Sequence, residues 1–276
     1  MIRSFTAVAA VAAFAGLASA QVRLSEIGLN PPGTDQGQEF IELIGTAGLD
    51  LTGLTLLIIE GDGAASGVVD QAISLSGFSL GSNGLFLHRD TSAVLDADGL
   101  TAGVQGPSSG TTLRTQDFIP DIENGTNTYL LVSGFTGALN ADLDTNNDGV
   151  LDSTPWASLL DGIGFSDDTG GDFAYAGGLG FFDFGVTPDV IGGTYSGDAL
   201  VRGTNGLWYV FDVNQIVPGE AYFADQNEIT VQGGGLTTLP VGFDFLTPGR
   251  ANVVPTPGSL ALAGIAGLVA VRRRRA

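Results

Sequence analysis

Small turn-forming residues cut this chain into short apolar runs, and that punctuation limits its fold more than any other feature. Glycine occupies 43 of 276 positions, and most apolar runs end at Gly, Asn, Asp or Ser. Such runs are too short for helices that bury a stripe, but they suit strands joined by tight turns. Val22 to Ile27 alternates like a strand, and Asn30-Pro31-Pro32-Gly33 follows as a turn. Further strands are expected at Glu39 to Ile44, Leu54 to Glu60, Ile73 to Leu80, Leu85 to His88, Thr128 to Ser133 and Leu159 to Phe165. Ala199 to Arg202, Leu207 to Val213 and Glu228 to Val231 continue the series. The expected fold class is all-β, a β-sandwich with almost no helix between residues 21 and 252. Leu56, Leu57, Ile58 and Ile59 are consecutive, so both faces of their strand are apolar. Cover on both sides explains this; the alternative is a face left for a partner.

Charge narrows the function classes. There is no lysine, and residues 21–252 carry five arginines against all 30 carboxylates, a formal balance of −25. Binding a phosphate backbone needs clustered basic residues, so nucleic acid is excluded as a partner. The acidity favours solubility and loose attraction of divalent cations. Without cysteine there is no disulfide, thiolate metal site or cysteine nucleophile.

The remaining positive charge sits at the ends. Arg3 precedes an apolar run from Phe5 to Leu17, and Ala18-Ser19-Ala20 follows. This is the order of a secretory signal peptide over residues 1–20, with Ala18 and Ala20 as the small residues that signal peptidase needs. The export machinery would then leave Gln21 as the first residue. At the other end, Pro255 and Pro257 precede Ser259, an N-cap residue type, and an uninterrupted apolar run from Leu260 to Val271. Arg272, Arg273, Arg274 and Arg275 close it. A helix over 259–271 would be roughly 20 Å long, against a hydrocarbon core of about 30 Å. Snorkelling arginines and local thinning cover part of that gap. Arginines stay on the cytoplasmic side, so the two ends give one topology: body outside, apolar plug in the membrane, arginines inside.

Residues 253–276 resemble the PEP-CTERM sorting signal of Gram-negative and related bacteria in their Pro-x-Pro motif, short apolar helix and terminal arginine cluster. Thr256 stands where that family usually has Glu. The resemblance implies an exosortase-like sorting enzyme that cuts near the prolines. Within 21–252, "LSEIGLNPPG" (24–33), "EFIEL" (39–43), "DLTGLTL" (50–56), "LGSNGLFL" (80–87), "ALVRGTNGLWYV" (199–210) and "TPGRAN" (247–252) resemble the lamin-tail domain. That resemblance implies an immunoglobulin-like sandwich with an expanded middle near 90–195, of the kind bacteria carry on secreted and surface proteins.

The most chemically specific stretch is "DLDTNNDGVLD", residues 142–152. Asp144, Asn146 and Asp148 occupy positions 1, 3 and 5 of an EF-hand-like loop, with Gly149 at the sharp turn, the Val150 carbonyl at 7 and Asp152 at 9. Alternating oxygen ligands on a tight turn can converge on one hard cation, so a structural Ca2+ is expected. Position 12 is Pro155 and no helix pattern flanks the loop, so Asp142 or Asp161 is a candidate extra ligand. The competing reading is an acidic turn without an ion.

Catalytic signatures are sparse. The single histidine, His88, has no Gly-x-Ser-x-Gly elbow to serve. Glu39 and Glu42 lie three apart in a strand and so point to opposite faces. Tyr209, Phe181, Phe182 and Phe184 read as core or rim, with sugar stacking as the alternative. Three functions remain: a non-catalytic surface or matrix protein, a module binding surface polysaccharide, and a hydrolase using Asp or Glu.

Overall fold

The computed structural model describes residues 22–30, 38–90, 107–167, 171–185, 187–188, 194–195, 197–214, 223–234 and 247–252. In chain order the strands are β1 (Arg23–Gly28), β2 (Phe40–Ile44), β3 (Leu54–Glu60), β4 (Val69–Ser74), β5 (Leu85–Arg89), β6 (Thr112–Thr115) and β7 (Asn127–Ser133). They continue as β8 (Ser158–Phe165), β9 (Phe182–Phe184), β10 (Thr187–Pro188), β11 (Thr194–Tyr195), β12 (Ala199–Arg202), β13 (Trp208–Asn214) and β14 (Phe223–Val231). Helix among the described residues amounts to two 3-10 turns, Gly63–Ala65 and Gly177–Leu179. None is long and apolar enough to cross a membrane.

Two principal sheets form. A seven-stranded sheet runs β14-β13-β12-β1-β2-β5-β6, and a five-stranded sheet runs β4-β3-β7-β8-β9. Most neighbours are antiparallel; β5 with β6 and β8 with β9 are parallel. The fold is therefore all-β and two-layered, as the turn-punctuated pattern predicts. Three expectations need adjusting. The expected strand over Ile73 to Leu80 lies earlier, as β4, and residues 75–80 turn through Gly77 at φ 88° while burying Leu75 and Leu80. The edge strands β6 and β9 were not expected. Phe223–Val231 is longer than Glu228 to Val231.

Apolar side chains fill two layers. Leu24, Ile27, Ile41, Leu43, Leu56, Ile58, Phe86, Leu131, Ile163, Phe165, Leu200 and Val210 form the core between the sheets. The opposite face of the five-stranded sheet carries a second core, in which Leu57, Ile59, Val69, Leu130 and Val132 meet Leu143 and Tyr175. Trp156, Leu151, Phe173 and Leu179 complete its cover. The four-residue run Leu56 to Ile59 is thus buried on both faces, which answers the partner-face alternative for this strand. Each such side chain contributes about 1.5–3 kcal/mol.

Candidate metal centre and ligand cleft

The acidic loop lies over the second core. Leu143 is its apolar foot, and Leu143 N bonds to the Gly67 carbonyl at 2.9 Å. Asp144 is fully buried. Its carboxylate accepts from Asp148 N (3.2 Å), Gly149 N (2.9 Å) and the Tyr175 hydroxyl (3.0 Å). Burial and that bond to Asp144 raise the Tyr175 pKa. Asn146 Oδ1 accepts from Asp148 N at 3.2 Å, and Asp148 Oδ1 from Val150 N at 3.0 Å. Gly149 takes the left-handed conformation, φ 82°, and an added Cβ would stand 2.7 Å from the Phe173 ring. The sequence thus supplies the turn it implies, with each side chain at positions 1, 3 and 5 bonding an amide further along.

Asp152 behaves differently. Its Oδ2 accepts from Thr145 N at 2.9 Å and Thr145 Oγ1 at 2.6 Å, pinning the end of the loop to its start. Asp142 is exposed, and its Oδ1 accepts from Asp144 N at 3.0 Å. Asp161 does not reach the loop. It is paired with Arg202, so its assignment as an extra ligand is withdrawn. Oxygen donors suit a hard cation, and Asp144, Asn146 and Asp148 with the Val150 carbonyl are the residues that would hold one.

A second acidic group is assembled by the fold. Asp62, Asp167 and Asp172 bring one ligand oxygen each within 4.8 Å of one another, the one such trio of acidic groups found among the described residues. Asp62 Oδ1 accepts from Thr126 N, Asp167 Oδ1 from Thr126 Oγ1, and Asp172 Oδ1 from Gly63 N. Burial raises the Asp62 pKa, with Asp167 and Asp172 adding to it. Sequence reasoning missed this trio because Asp62 follows β3 while Asp167 and Asp172 follow β8, so only the fold brings the three together.

It also missed a buried pair on the outer face of the seven-stranded sheet. Glu26 and Glu42 face each other across β1 and β2, both fully buried. Residues 247–252 cover them: Thr247 N donates to Glu26 Oε1 at 3.0 Å, and Gly249 N to Glu42 Oε2. Burial pushes Glu42 up to about 8. Burial and then Glu42 itself hold Glu26 well above the carboxylate range. Glu39 lies on the inter-sheet side of the same strand end, as the parity of Glu39 and Glu42 requires. Burial pushes it up to about 10, with Asp90 and Asp121 contributing. His88 is also buried, packed edge-on against Phe118 at 4.5 Å, and burial lowers it to about 4.

One cleft, of about 570 Å³, lies where β1 and β2 meet β8. Arg23, Ile44, Leu160, Asp161, Phe181 and Arg202 line it. Arg202 Nη1 and Nη2 bond the two Asp161 oxygens at 2.8 and 2.9 Å, and the guanidinium lies 4.4 Å from the centre of the Trp208 ring. Leu24 N bonds Asp161 Oδ2 at 2.8 Å, so the same carboxylate links the two sheets. Phe181, expected as core or rim, is part of this cleft. Ala18, Ala20, Pro255, Pro257 and Arg272 to Arg275 lie outside the described residues.

No protein family, no curated protein and no solved structure was found to match this chain.

Proposed function

We propose that the protein is exported and serves as a non-catalytic structural component of the cell surface or extracellular matrix. In this reading its C-terminal segment holds it at the inner membrane until an exosortase-like enzyme acts near Pro255 and Pro257. The observation that carries the reading is the layout of charge. A lysine-free body with a balance of −25 lies between a short signal-like segment and a terminal cluster of four arginines. The two-sheet, all-β body supports a lamin-tail-like, immunoglobulin-like sandwich of the type found on secreted proteins. A calcium ion in the 142–152 loop would be structural. It would offset the charge of Asp144 and Asp148 and stiffen the cover over the second core, which explains a built acidic turn at that place.

Replacing Arg272, Arg273, Arg274 and Arg275 together with serine tests the sorting half of the proposal. The stop signal is then lost, and retention of the protein at the surface, read by fractionation, should fall. Normal sorting of the charge-free variant would overturn it.

A further inference from the structure

The space between the sheets turns polar at one end, where β3 ends and β4 and β7 begin. Strand parity turns Glu60 inward with Ile58, Asn127 with Tyr129, and Glu39 with Ile41. A bulge in β4 leaves Asp70 as an extra residue between Gln71, opposite Ile58, and Val69, opposite Ile59. Gln71 Nε2 donates to the Pro120 carbonyl, which holds the segment before β7 across this end. Five buried oxygens here have no hydrogen-bond partner among the described residues: both of Glu39, Asp70 Oδ2, Asn127 Oδ1 and the Tyr129 hydroxyl. Glu39 and Asn127 are fully buried, and Tyr129 is 1% exposed. The Ile122 amide approaches Glu39 without completing a bond. Burial, and then Glu39, Glu60 and Asp70, raise the Tyr129 pKa, which puts its hydroxyl among these three carboxylates. Every charged neighbour that shifts Glu39, Glu60 or Asp70 is itself a carboxylate. Buried charges are normally paired or bound to a metal, and buried oxygens normally find a partner.

We propose that this end of the sandwich holds a calcium ion, with Glu39 and Asp70 as its carboxylate ligands, Asn127 Oδ1 as a neutral ligand and the Tyr129 hydroxyl turned to it. All are hard oxygen donors. Ca2+ accepts irregular sets of these together with waters, whereas Mg2+ demands a near-ideal octahedron. Glu60 adds negative charge from behind, its Oε1 already accepting from the Gly61 and Asp62 amides. The ion ties the start of β2 in one sheet to β4 and β7 in the other. This site is separate from the 142–152 loop, which lies over the opposite face of the five-stranded sheet, so either can fail without the other.

Equilibrium dialysis of the full-length chain against calcium tests the proposal, with Asp144→Ala and Asp148→Ala in place so that the loop is silent. This variant should still bind an ion saturably, with half-saturation below about 1 mM. Burial pushes Glu39 up to about 10, so it holds a proton until the ion arrives. Calorimetry at neutral pH, in two buffers of different ionisation heat, should therefore show about one proton released per ion. Adding Glu39→Gln with Asp70→Asn should abolish both signals and leave the calcium-free melting temperature no lower, because the exchange removes repulsion between acids. Tyr129→Phe should weaken binding by about tenfold. No saturable binding up to about 10 mM, which is the result if protons alone settle these carboxyls, would overturn the proposal. So would an ion that survives Glu39→Gln with Asp70→Asn, or one lost instead through Asp62→Asn with Asp167→Asn.

Discussion

At the scale of single residues, the buried carboxylates set how this protein responds to pH. Glu26 and Glu42 oppose one another in a buried layer, where two like charges cannot both ionise cheaply. Glu42 has an ordinary value near 4.5 when unfolded and about 8 when folded. Below pH 4.5 it is protonated in both states and costs nothing. From there to about pH 8 the folded chain holds the proton longer, so stability falls as pH rises. The melting temperature should therefore be lower at pH 8 than at pH 5. Glu42→Gln should raise it at pH 8 far more than at pH 5, by about 2–4 °C for each kcal/mol recovered in a chain of this size. An equal effect at both pH values would contradict the shifted ionisation. Arg202 makes the reverse case. Arg202→Ala should cost about 3–5 kcal/mol, because it leaves Asp161 buried and uncompensated. Urea unfolding of parent and variant reads that difference. Neither pair was legible in the sequence. Glu26 and Glu42 look like ordinary polar members of "LSEI" and "FIEL", and only the strand register sets them opposite. Asp161 and Arg202 are 41 residues apart and meet across two sheets.

Among the elements, the acidic loop is the clearest case of sequence dictating shape. Its turn chemistry is local, so Asp144, Asn146, Asp148 and Gly149 could be assigned positions before any fold was known. What could not be read is that the loop helps to cover the second core: its Leu143, together with Tyr175 from the segment after β8, is buried against the outer face of β3 and β7. Asp144→Ala should lower stability even without an ion, since it strips acceptors from two amides and a buried hydroxyl, at about 1–3 kcal/mol for each group left unpaired. Thermal melts without added metal check this. Millimolar calcium should raise the melting temperature of the parent, and Asp144→Ala with Asp148→Ala should remove the loop's share of the gain. If Asp62→Asn with Asp167→Asn abolishes it instead, the Asp62 trio is the cation site. Strand β3 was legible to the residue because its apolar run is continuous, and β12 because it is short and framed by turns. The edge strands β6 and β9 were not, since each pairs on one side, in parallel, through a segment too short to show alternation.

For the whole molecule, the all-β character followed from glycine punctuation, and the second core followed from a strand apolar on both faces. The closing segment 247–252 gains its place from nonlocal bonds to Glu26, Glu42 and Ser25, which no local pattern announces. Far-ultraviolet circular dichroism of the full chain should show helix well below the third of residues, roughly, that is average for globular proteins. The central claim is that this acidic two-sheet body is exported and that its termini are sorting handles. Terminal sequencing and intact mass of the protein isolated from its native cells test that claim most directly. The expected result is a chain beginning at Gln21, found outside the cytoplasm, and ending near Pro255 to Pro257. A soluble cytoplasmic chain with Met1 intact and Arg272 to Arg275 still attached would contradict it.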